Sequence, residues 1–138
     1  MVKTKIPRTS KNLAALAALA AEDKLAYDVL VLNLTKIEQS PSDYFVICTC
    51  DSEVQVSAVV DEINKRCREA KLQKPRVEGL DGNYWVLLDF FDVVIHVMLK
   101  KAREFYKLEK LWGDAQFLKP DKNSKLKIVT EKELKKIV

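Results

Sequence analysis

Hydrophobic positions follow two spacings along this chain. Residues 10–24, 52–72 and 100–114 show a helical period, and unbroken apolar runs of strand length lie between them. Ser10 can cap the first helix, an alanine-rich stretch on which Leu13, Leu16 and Leu19 recur along one face. Residues 27–34 and 43–50 read as buried strands joined by a polar loop with Pro41, and so as an antiparallel pair. Ser52-x-x-Gln55 is a capping box for the next helix. Val56, Val59, Val60, Ile63, Cys67 and Ala70 line its inner side, and Asp61, Glu62, Lys65, Arg66 and Glu69 its solvated side. A brief strand at 75–79 and a turn at 81–83 follow. The helix at 100–114 directs Ala102, Phe105, Leu108, Leu111 and Trp112 toward the body.

Residues 84–99 hold two apolar, β-branched-rich runs with a polar kink at Asp89 to Asp92, the pattern of a hairpin. Neither run alternates cleanly, which predicts strands covered on both faces. With an even loop, Asp89 opposes Asp92, Leu87 opposes Val94 and Trp85 opposes His96, and opposed side chains share a face. One face then carries Trp85, Asp89, Asp92 and His96. The other carries Val86, Leu88, Val93, Ile95 and Val97. Two carboxylates, an imidazole and an indole are an unusual mix for a core and suit an interaction surface. A tight turn favours Asn or Gly where Phe90 and Phe91 stand. The order α-β-β-α-β-β-β-α predicts an α/β fold, a mixed sheet of about five strands with helices packed on it.

Charge divides the chain more sharply than its net +4 suggests. Lys3, Lys5, Arg8 and Lys11 make a basic start, and the Lys-rich stretch from 119 to 138 has a net +4. The body between them has a net −4. The ends suit nucleic acid, and the body suits a basic protein. The expected organisation is a basic arm at 1–9, one domain at 10–116 and a mobile Lys-rich tail at 117–138, with a short helix capped by Thr130 and Glu133.

Chemistry for catalysis is missing. There is no nucleophile motif, P-loop, dinucleotide fingerprint or HExxH. With a single His and no CxxC, a metal site is not expected, and no cofactor is implied. Asp89 and Asp92 stand three apart across a turn, whereas paired metal-binding carboxylates on one strand sit two apart. Cys48, Cys50 and Cys67 read as buried, reduced thiols of a reducing compartment, hence a cytoplasmic protein. The alanine-diluted start is read as a helix rather than a secretory signal, and no stretch is long enough to cross a membrane.

A set of short pieces then falls in a familiar order. They are Ser42-Asp-Tyr44-Phe-Val-Ile47; Thr49-x-x-Ser52 with Gln55-Val56; Pro75-x-x-Glu78-Gly79; Trp85-Val-Leu-Leu-Asp89; Asp92-Val-Val-Ile-His96-Val97; and Arg103-x-Phe-Tyr106-x-Leu-Glu109-x-Leu-Trp112-x-Asp-Ala115. Each is weak alone. Together, over residues 10–116, the chain resembles the ribosomal silencing factor family, RsfS, also called Iojap-like proteins. It departs from the family at Cys50, where Gly or Ala is frequent, at Met98, where Phe is common, and at Phe91, where Gly is common. Phe91 in place of Gly argues against a tight turn needing positive φ.

The resemblance implies a nucleotidyltransferase-like fold without the catalytic motif and a non-enzymatic role. Family members bind large-subunit ribosomal protein fourteen, block joining of the small subunit and lower translation in nutrient limitation. They also form homodimers. Glu78 and Tyr44, from the matched pieces, join Trp85, Asp89, Asp92 and His96 as expected partner-binding residues. Two rival readings remain: a ribosome-assembly or RNA-binding protein whose basic ends touch ribosomal RNA, and a nucleotidyltransferase-like enzyme.

Overall fold

The protein, represented by a computed structural model, is described over residues 9–121 and 123–137. Lys3, Lys5 and Arg8 of the expected basic arm lie outside these residues. Helix α1 (Ser10–Asp23) opens the fold, and its N-cap is Thr9, whose Oγ1 accepts from the Asn12 amide at 3.1 Å, one residue before the expected Ser10. Strands β1 (Tyr27–Asn33) and β2 (Tyr44–Cys50) pair antiparallel as expected. Helix α2 (Glu53–Glu69) carries the chain over to strands β3 (Arg76–Glu78), β4 (Trp85–Asp89) and β5 (Val93–Leu99). The crossover lets β5 pair parallel with β2, which a tight turn cannot do.

Two short helices, α3 (Lys100–Tyr106) and α4 (Leu108–Leu111), replace the single helix expected at 100–114. Strands β6 (Gln116–Pro120) and β7 (Leu126–Ile128) and helix α5 (Glu131–Ile137) then follow, so the Lys-rich stretch is folded where a mobile tail was expected. Thr130 and Glu133 do cap α5, with the Glu133 amide donating to Thr130 Oγ1 at 3.2 Å. The sheet therefore has seven strands, not five, in the order β3-β4-β5-β2-β1-β6-β7, and is mixed. The three-residue strands β3 and β7 form its edges.

One face of the sheet is fully clothed. Helices α1 and α2 lie on Val29, Val31, Val46, Cys48, Leu88, Ile95 and Val97. The capping box of α2 is real: the Gln55 amide donates to Ser52 Oγ at 3.1 Å, while Gln55 Oε1 accepts from the Asp51 amide at 2.8 Å. On α1 the alanines face inward. Ala14, Ala17, Ala18, Ala20 and Ala21 are fully buried, and the leucines expected to lead the packing flank them half-buried. Small side chains let the helix axis approach the sheet closely. All three cysteines are buried and free.

The other face is covered only in part. Leu30, Leu32, Phe45, Ile47 and Met98 are buried beneath Ala102 and Leu108 of α3 and α4, with Val129 and part of α5 alongside. The inward side of α3 and α4 differs from expectation. Phe105 and Leu111 point outward, 76% and 71% exposed, while Arg103 and Glu109 are buried. Arg103 Nε donates to Glu109 Oε1, and Nη1 donates at 2.8 Å to both Thr49 Oγ1 and the Asp28 carbonyl. A buried guanidinium requires such partners. Between Arg103 and Glu109 the helix breaks at Lys107, whose φ is 47°.

A candidate partner-docking face

The uncovered part of the second face lies over β3, β4 and β5. Antiparallel pairing sets Arg76, Asp89 and Val94 in one row and Glu78, Leu87 and His96 in the next. Trp85 opposes Met98. The hairpin register is thus shifted by two residues from the expected one, and Asp89 meets Val94 rather than Asp92. A two-residue shift keeps side chains on their faces, since the strand period is two. Trp85, Asp89 and His96 therefore share a face as expected, and Val86, Leu88, Val93, Ile95 and Val97 share the clothed one.

The burial of β4 alternates strictly, from half-buried Trp85 through buried Val86 to half-buried Asp89. Coverage on both faces, inferred from the apolar runs, fails for β4 but holds over Ile95 to Met98 of β5, which are buried on either side. Trp85, Leu87 and Val94 are apolar and no helix lies over them completely. An apolar sheet face left partly open is a candidate surface for a partner.

Trp85 is held rather than loose. Its Nε1 donates to His96 Nδ1 at 3.1 Å, and its ring packs against Tyr106 with centroids 4.7 Å apart. His96 in turn packs edge-on against Phe45 at 4.6 Å. The imidazole is 5% exposed. Burial, with a smaller push from the Arg103 charge, lowers its pKa to about 3. It is therefore neutral, and because Nδ1 accepts, its proton sits on Nε2. His96 acts as a fixed acceptor that orients an indole.

Backbone geometry also serves Trp85. Gly79 adopts φ +92°, and a Cβ there would lie 2.2 Å from the Trp85 carbonyl oxygen. Only glycine permits this approach of the β3–β4 turn. Asn83 ties the same turn to α2 by donating to Ser57 Oγ at 2.6 Å and to the Glu53 carbonyl at 3.2 Å.

The expected site residues divide. Glu78, Trp85, Asp89 and His96 come together on the open face, with Glu78 beside exposed Arg76 at 3.4 Å. Asp92 sits in the turn at its lower rim, exposed. Tyr44 does not join them. It is buried on the clothed face, because β2 alternates and its neighbour Phe45 takes the other side. Phe105 and Trp112 were both read as core from their helical spacing; Trp112 does pack on the second core, edge-on to Phe45 at 5.7 Å, while Phe105 and Tyr106 extend the aromatic surface outward. The signal that could have found them was the Arg103/Glu109 pair, six residues apart, which turns the opposite side inward.

The turn itself corrects another expectation. Phe91 has φ +76°, the Asp92 amide donates to the Phe90 carbonyl at 3.0 Å, and Asp89 Oδ1 accepts from the Phe91 amide at 2.8 Å. A positive-φ turn is present, and a phenylalanine occupies it.

Fold and face together define an α/β module with an ordered aromatic and acidic open sheet face. No cluster of three or more His, Cys, Asp or Glu able to hold a metal occurs among the described residues, nor any helix long and apolar enough to cross a membrane. Residues 7–136 match the sequence profile of the family described as ribosomal silencing factor during starvation, RsfS. The chain is 45% identical to the ribosomal silencing factor RsfS of Bacillus subtilis (strain 168), over 76% of this chain and 88% of that protein. It is 37% identical to the mouse mitochondrial assembly of ribosomal large subunit protein 1, over 63% of this chain and 39% of that one. A crystal structure of a Chromobacterium violaceum protein superposes with a TM-score of 0.71 at 34% identity, covering 76% of this chain and 87% of that one. The chain belongs to the ribosomal silencing factor family.

Proposed function

We propose that this chain represses translation by docking its open sheet face on the large ribosomal subunit, at large-subunit ribosomal protein fourteen, and so blocking the small subunit sterically. The observation that carries this reading is Trp85, an indole oriented by His96 on an apolar sheet face that no helix covers completely. Oriented aromatic side chains make interface anchors because little side-chain entropy is lost on docking. Glu78, Asp89 and Asp92 against Arg76 give the surface an acidic balance suited to a basic ribosomal protein. The name of the mouse relative, which refers to the large ribosomal subunit, supports the choice of subunit. The role is non-enzymatic and exercised in the cytoplasm. Exposed Lys132, Lys135 and Lys136 on α5 add a salt-sensitive contact to ribosomal RNA.

Sedimentation with separated ribosomal subunits tests this. The wild-type chain is expected to travel with the large subunit and to prevent joining. Glu78→Lys with Asp92→Lys changes two exposed carboxylates and spares Asp89, which staples the turn. That variant should stay folded and lose the effect, since like-charge contacts cost several kcal/mol at an interface. Blocking at wild-type concentration by the folded variant, or binding of the wild type to the small subunit only, overturns the reading.

A further inference from the structure

Phe91 is 85% exposed, and among the described residues no large apolar side chain is more so. A single exposed apolar residue is ordinary. This one sits at φ +76°, a conformation that L side chains rarely adopt and that glycine adopts freely. Leu25 shares both properties, with φ 66° and 80% exposure. There the conformation is imposed by a helix stop: the Leu25 and Ala26 amides close α1 on the Glu22 and Ala21 carbonyls. No such stop explains Phe91.

The turn that displays Phe91 is firmly tied. The Phe90 amide donates to the Val93 carbonyl at 2.9 Å, and the Asp92 carbonyl accepts from the Asp43 and Tyr44 amides at 2.9 and 3.1 Å. The ring joins neither hydrophobic core. Asp89 Oδ1 accepts from the Phe91 amide, Asp92 follows it in the turn and the Asp43 amide donates to the Asp92 carbonyl, so three acidic residues border the turn against Arg76 opposite Asp89. Phosphates would be repelled there, and a lysine- or arginine-rich protein surface attracted. Six residues of strand and turn separate Phe91 from Trp85, about 20 Å at 3.3 Å per residue. A standard interface of about 800 Å² per partner spans about 30 Å, so one partner reaches both.

We infer that Phe91 is a second anchor, inserted into an apolar socket of the basic protein that docks on the open sheet face. This rests on the docking reading above and adds its lower rim. The test is a pair of full-length variants, Phe91→Gly and Phe91→Ala, measured for melting temperature and for affinity to isolated large subunits. Phe91→Gly relieves the backbone and should raise the melting temperature by about 3 °C, while its affinity falls at least about tenfold. Phe91→Ala keeps a Cβ at positive φ, so it should lose the same affinity without the thermal gain. Wild-type affinity in both variants overturns the anchor alone. Loss in the glycine variant with wild-type affinity in the alanine variant also overturns it, since turn rigidity would then be the cause. Absence of large-subunit binding by the wild type removes the docking reading and the anchor with it.

Discussion

The two faces of the β4–β5 hairpin are built from similar residues and have opposite fates. Val86, Leu88, Val93, Ile95 and Val97 are fully buried beneath α1 and α2, while Trp85, Leu87 and Val94 are only half-buried. Hydrophobicity alone therefore does not tell a clothed sheet face from a partly open one. What distinguishes them is the accompanying chemistry. The clothed face has aliphatic side chains only along this hairpin, and the open one mixes them with Asp89, His96 and an oriented indole.

Breaking the cover of the second face should have the largest effect. Arg103→Ala strands buried Glu109 and releases α3 from Thr49 and the Asp28 carbonyl. A loss of about 3–5 kcal/mol in denaturant unfolding is expected. Next comes a direct contrast of the faces. Ile95→Ala removes a fully buried side chain and should cost about 2–5 kcal/mol. Leu87→Ala, on the open face, should cost about 1 kcal/mol or less. Equal costs would mean that the open face is core.

The third effect is a pH dependence. His96 resists protonation in the folded state down to about 3, whereas the unfolded chain takes up a proton near 6.5. The stability it contributes is complete above that value and is lost as pH falls toward 3. At pH 5 the loss should be about 2 kcal/mol relative to pH 7. His96→Gln should flatten this part of a chemical-denaturation pH profile. The smallest effect is on the clothed side: Ser52→Ala should lower stability by about 1 kcal/mol through the α2 cap. A melting curve that does not move would argue against the role of that cap.

Much of this architecture was legible in the order of residues. Periodicity located α1, α2 and the strands from β1 to β5, and parity alone sorted Trp85 and His96 from Val86 and Ile95. Two of the failures share a cause. Glycine usually announces left-handed backbone, and this chain has three glycines. Lys71, Phe91 and Lys107 take left-handed conformations in their place. The break at Lys107 was therefore invisible, and with it the outward turn of Phe105. Phe91 was read as excluding the very turn it occupies. Strands β6 and β7 were missed for another reason. Their lysines suggested a solvated tail, yet Phe117 and Leu118 alternate to opposite cores, while Lys119 pairs with Glu133.

The sheet's outer strands have a consequence for life at high concentration. A protein that shows apolar side chains on one surface risks growing into fibres if it also offers long strand rims. Here each rim is a three-residue stub, with exposed Arg76 and Glu78 on one and exposed Lys127 on the other. Backbone-to-backbone polymerisation finds little template at either end. Under the docking proposal the open face is then selective, because a partner must recognise it through side chains.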